Sequence, residues 1–172
     1  MVYDSKAIAN QFLTLAIVEG VPVTHMMLQK LVFLAHGWSL GLFDEPLIND
    51  NVEAWRYGPV IPSLYYAFKR FGKEPITDLA DDDDENPKPA LIPSGEEHEV
   101  TRLLIKKIWD TYKDKDPIIL SQMTHTPDSP WSKTVARYQK NPPPNLVIPE
   151  KYMQEYYAKQ AESAPAQTVS AV

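Results

Sequence analysis

Glu53-Ala54-Trp55-Arg56-Tyr57-Gly58-Pro59-Val60-Ile61-Pro62-Ser63-Leu64-Tyr65 is the stretch on which the fold turns. It reads as an extended segment, a forced corner and a helix. Trp55 and Tyr57 are two apart and face one side of an extended chain. Gly58 precedes Pro59, and the residue before proline is driven from the helical region. Pro59 and Pro62 lack amide donors, which suits a turn or a first helical turn. The spacing therefore predicts a tight strand-to-helix corner at Gly58-Pro59, packed by aromatics.

Upstream, Leu47-Ile48 and Val52-Glu53-Ala54-Trp55 read as two short strands around Asn49-Asp50-Asn51, residues that tolerate left-handed turns. Before them, two helices are expected. The first runs from about Ser5 to Glu19, capped by Asp4 or Ser5 and closed by Gly20. The second runs from about His25 to Leu40 behind Thr24. It is apolar on most sides, so it is the expected central helix. Lys30 falls between Met27 and Leu34 on its apolar face. A lysine there either snorkels to water or meets a carboxylate, and Glu53 is the expected partner.

Downstream, the corner feeds a helix stopped at Gly72. Pro75-Ile76-Thr77 and Leu146-Val147-Ile148 are short strand candidates. Ser94-Gly95-Glu96-Glu97 has capping-box spacing and opens a helix to about Tyr112. Asp116-Pro117 and Ser129-Pro130 each read as a cap plus a first-turn proline. Asn141 to Pro144 ends the last of these, and a final helix runs from Pro149 to about Ala161. The expected fold is α+β and predominantly α-helical: a compact bundle of about six helices around the central one, with a small β-hairpin or short sheet.

The length of 172 residues fits one domain, expected over residues 1–162, with a disordered tail from Ser163 to Val172. Asp81 to Glu85 are five consecutive carboxylates, read as a solvated loop. The net charge of −6 speaks against a sequence-independent nucleic-acid binder, and direct nucleic-acid contact is not expected. Without cysteine there is no disulfide or thiolate metal site, in keeping with a cytoplasmic protein. Met1 to Lys6 shows no signal pattern, and the run Met26 to Ala35 is too short to span a bilayer.

Chemistry is sparse. The four histidines form no paired metal motif, and Gly37 and Gly41 are too isolated for a phosphate loop. His125, Asp128 and Ser129 lie close in sequence, but a triad needs a fixed order of contacts. Asp128 or Ser129 as a helix cap, with His125 closing the helix before it, is the simpler reading. A hydrolase using His125 or His36 is the alternative. No cofactor or metal is expected.

Three segments carry a resemblance: Val23 to Trp38, containing Lys30 and Trp38; Glu53 to Val60 with Leu64-Tyr65, containing Trp55, Gly58 and Pro59; and Thr124-His125 with Ser129-Pro130-Trp131. In order and spacing they resemble the SocA-like antitoxins with a Panacea domain, also known as phage-associated GepA-like proteins. The resemblance implies a non-enzymatic bacterial or prophage antitoxin that binds a cognate toxin encoded by an adjacent gene. A second reading is an adaptor delivering the toxin to a ClpXP-type protease. On physical grounds, the residues expected to touch the toxin are Arg56, Tyr57, Tyr65, Gln29, His36 and Phe33. Those expected to hold the motif are Lys30, Trp38, Glu53, Trp55, Gly58, Pro59, His125, Pro130 and Trp131.

Overall fold

The structure is a computed structural model that describes residues 1–82, 85–139 and 141–163. Among these residues the fold has seven α-helices and one two-stranded sheet. The helices are α1 (Ser5–Glu19), α2 (His25–Phe43), α3 (Pro62–Phe68), α4 (Glu99–Tyr112), α5 (Pro117–Met123), α6 (Pro130–Val135) and α7 (Glu150–Ser163). The strands are β1 (Glu53–Trp55) and β2 (Gly58–Val60). This is the expected mainly helical α+β architecture. Asp83 and Asp84 of the acidic run and Ala164 to Val172 of the expected tail lie outside the described residues.

Helix α2 is central because 14 of its 19 residues are buried. It packs against α1, α3, α4, α5, α7 and β2. Its ends follow local chemistry: Thr24 accepts from Met27 N, and Asp44 closes the helix in the left-handed conformation. Helix α1 starts on Asp4, which accepts from Lys6 N, and ends on Gly20 at φ 67°. Asp116 and Ser129 cap α5 and α6, each with proline in the first turn. Apart from Asp44, each of these punctuation marks was visible in the sequence.

Three local expectations are corrected. Helix α2 does not stop before Gly41. Gly37 and Gly41 lie one turn apart on it and let α7 come close: a Cβ on Gly41 would lie 2.6 Å from the Tyr157 backbone. Packing, not termination, is their role. The capping box at Ser94 is not formed. Gly95, at φ 144°, enters a 3-10 turn over Glu96–His98 without a side-chain cap.

The hairpin is also one step later than expected. Glu53 pairs with Val60, Ala54 with Pro59 and Trp55 with Gly58, so Arg56-Tyr57 forms the tip. Gly58 at φ 115° supplies the turn that an L-residue resists. The corner into α3 accordingly falls at Ile61-Pro62 rather than Gly58-Pro59. Leu47-Ile48 instead meets the N-terminus, with Tyr3 bridging Ile48 in parallel. The outer edge of β1 is covered by the segment after α6: Ala54 N donates to Leu146 O at 2.7 Å and Ile148 N to Val52 O at 2.8 Å. Pro75, the other strand candidate, makes a single bridge to Thr24.

Asn10 is wholly buried on α1 and fixes the root of the acidic loop. Its amide donates to Ala80 O and Ala90 O and accepts from Ala80 N. The loop therefore emerges from a rigid base.

Candidate functional site

The three sequence segments converge on the hairpin. From α2, Lys30 Nζ donates to Pro59 O at 2.9 Å. Gln29 grips Ile61, two residues on, as a strand would, accepting from Ile61 N at 2.9 Å and donating to Ile61 O at 3.1 Å. From α6, Trp131 Nε1 donates to Trp55 O at 2.8 Å. From α5, Ser121 Oγ donates to Tyr57 O at 3.3 Å. The site is thus a set of side chains holding one short piece of backbone.

Gly58 lies at its centre. A Cβ there would sit 2.8 Å from Lys30 Nζ, 2.9 Å from His125 Cε1 and 3.2 Å from Thr124 Oγ1. Only glycine satisfies both the positive φ and this enclosure. His125 packs its ring on Trp131 at 4.2 Å and lies with Nδ1 2.6 Å from Ser121 O, closing α5 from beneath. Ser129 Oγ donates to Thr124 O and accepts from Ser132 N. These groups serve helix ends, and Ser129 is the cap that the sequence indicated.

Lys30 is only 3% exposed. Glu53 is not its hydrogen-bond partner: Lys30 Nζ donates to Pro59 O, and the Glu53 carboxylate accepts from Trp55 Nε1 at 2.8 Å. The ammonium neither reaches water nor forms a salt bridge, and burial lowers its pKa to about 7. The expected Lys30–Glu53 pair is replaced by a lysine-to-carbonyl bond. His36, also buried, has its pKa lowered to about 4 by burial. Its Nδ1 accepts from Leu47 N at 3.2 Å, which fixes the neutral form with that lone pair free.

The expected contact residues divide by exposure. Tyr57 is 75% exposed, and the Arg56 guanidinium sits 5.6 Å from its ring centre. Tyr65 is half-buried between Trp55, at 4.8 Å, and His25, at 5.3 Å. Gln29, Phe33 and His36 are buried and are corrected to interior roles. Gln29 holds Ile61, Phe33 packs on Tyr157, and His36 holds the strand-like turn at Leu47. An apolar helix buried on nearly all sides presents none of them outward.

Of the expected motif residues, Lys30, Glu53, Trp55, Gly58, Pro59, His125 and Trp131 meet at the hairpin, and Pro130 opens the helix that carries Trp131. Trp38 packs elsewhere, 5.3 Å from Tyr157 of α7. Sequence reasoning missed Ser121 in the cluster and named Thr124 in the third segment without a role. It also missed the exposed apolar face of α5, although the adjacent Ile118-Ile119 pair was a visible signal. Among the described residues no group of three histidines, aspartates or glutamates is placed to hold a metal ion.

The model of the family described as antitoxin SocA-like, Panacea domain, matches residues 28–132. The chain belongs to that family. The matched span contains Lys30, the whole hairpin, α5 and Trp131, so the Panacea match and the convergent cluster coincide. A similar curated protein is the antitoxin SocA of Caulobacter vibrioides (strain NA1000 / CB15N), 39% identical over 77 residues. That alignment covers 45% of this chain and 41% of the relative, less than half of each. No solved structure matches the chain. Among the described residues no helix is long and apolar enough to cross a membrane.

Proposed function

We propose that this Panacea-domain chain is a cytoplasmic antitoxin that neutralises a cognate toxin by direct, non-enzymatic binding, through a single domain spanning residues 1–162. The family match and the similarity to an antitoxin support the class of function. One structural observation carries the binding reading. The side chains of the motif cluster are used to hold the hairpin, and the tip it holds projects Arg56 and Tyr57 into solvent. An exposed Tyr–Arg pair on backbone held in this way matches the chemistry of interface anchors, because little backbone freedom is lost when it docks. Tyr65 packs its ring against Trp55 at the base of the hairpin, tilted by 56°.

The test uses the product of the adjacent gene. Expressed alone it should arrest growth, and co-expression with this chain should relieve the arrest and give a complex that co-purifies. The Arg56→Ala, Tyr57→Ala double variant should weaken that complex by about 30-fold or more, as loss of an interface anchor does. A harmless neighbour, or one that does not co-purify with the wild-type chain, rules the reading out.

A further inference from the structure

We infer that the docking surface continues from the hairpin tip across the outer face of α5, and that it takes a protein partner presenting an apolar anchor inside a basic rim. The inference rests on the antitoxin reading and specifies the partner's chemistry. In α5, Leu120 is buried while Ile118 is 60%, Ile119 47% and Met123 37% exposed. Helical geometry sets the order around the axis. Leu120 and Thr124 face the core, Ser121 flanks them, and Ile118, Gln122, Ile119 and Met123 follow outward. Ser121 is the residue that holds Tyr57 O, so Ile118, next around the axis, begins beside the tip, with Ile119 and Met123 beyond Gln122 on the same outer strip.

A seven-residue helix gains little from its own propagation. Asp116, Pro117 and His125 instead fix it at both ends. Two β-branched residues on its outside add nothing to helix propensity and leave their apolar area in water. An exposed apolar strip on rigid backbone, next to an exposed Tyr–Arg pair, is the physical signature of a protein-docking face.

The rim supplies the partner's charge. The exposed ionisable residues that border α5 and the tip along the chain are Asp114, Lys115, Asp116, Asp128 and Arg56, three acids to two bases, on a chain of net charge −6. Complementarity therefore favours a basic partner surface, and association that weakens with salt.

The test measures binding of the full chain to the purified product of the adjacent gene by calorimetry. Ile118→Glu should lower affinity about 30-fold or more, whereas Leu103→Glu, on the exposed face of α4, should change it less than about threefold. Wild-type affinity should fall by about tenfold or more between 50 and 500 mM salt. If Ile118→Glu lowers the melting temperature, Ile118→Ser takes its place, with the same expected direction. Wild-type binding unchanged by Ile118→Glu or Ile118→Ser overturns the α5 surface and leaves the antitoxin reading standing. Salt-insensitive binding overturns the basic partner. Absence of any wild-type binding overturns both readings at their root.

Discussion

Replacing Lys30 by methionine tests the centre of the site. Methionine keeps most of the stem's packing and removes the amine. The unfolded chain holds that proton to about pH 10.5, the folded chain only to about pH 7. Between those values unfolding takes up a proton, so this group makes stability rise with pH, by up to about 1.4 kcal/mol per pH unit. Below about pH 7 its charge penalty is fully present, and it fades as pH climbs toward 10.5. Integrated from pH 7 to 9, the gain is about 2 kcal/mol. The variant has no such proton, but at every pH it leaves Pro59 O without its donor, at a cost of about 1–3 kcal/mol. Urea unfolding of both proteins, followed by tryptophan fluorescence at pH 6, 7, 8 and 9, isolates the effect, because other titrations cancel in the difference. The stability of wild type minus variant should grow by about 2 kcal/mol from pH 7 to 9. Parallel profiles would refute the buried, unpaired ammonium and the reasoning built on it.

Two further variants probe the frame. His36 has its pKa lowered to about 4 by burial, so acidification from about pH 6.5 to 4 should cost the wild type up to about 3 kcal/mol. His36→Asn offers an uncharged acceptor near the Nδ1 position and should flatten that acid limb in pH-dependent melts; an unaltered slope would assign it to other groups. Gly41→Ala should destabilise by about 1–3 kcal/mol, because its Cβ would meet the Tyr157 backbone at 2.6 Å. Helix propensity alone predicts the opposite sign, a gain of about 1 kcal/mol, so a raised melting temperature would contradict the close α2–α7 packing.

The sequence by itself determined what depends on neighbours along the chain. Asp4, Thr24, Asp116 and Ser129 cap because a short polar side chain reaches the amides two or three residues on. The apolar surround of α2 marked it as central because burial on all sides needs no knowledge of what covers it. Family membership was legible for a related reason: it rests on residue types at fixed spacings. Tertiary structure decided everything that required distant partners. Lys30 lay as near to Glu53 in pattern as to Pro59, and only the folded hairpin placed a carbonyl at its ammonium while Trp55 occupied the carboxylate. The hairpin's register shifted because Ile48 found Tyr3, 45 residues earlier, instead of folding back on β1. Gly41 stood just past the expected end of the second helix until α7 arrived against it. Which isoleucines of α5 face water followed from where α2 lies. Local hydrogen bonds and sterics act over a few residues and can be read in order along the chain. Burial and long-range pairing depend on which surfaces meet, and that is settled only when the chain closes on itself.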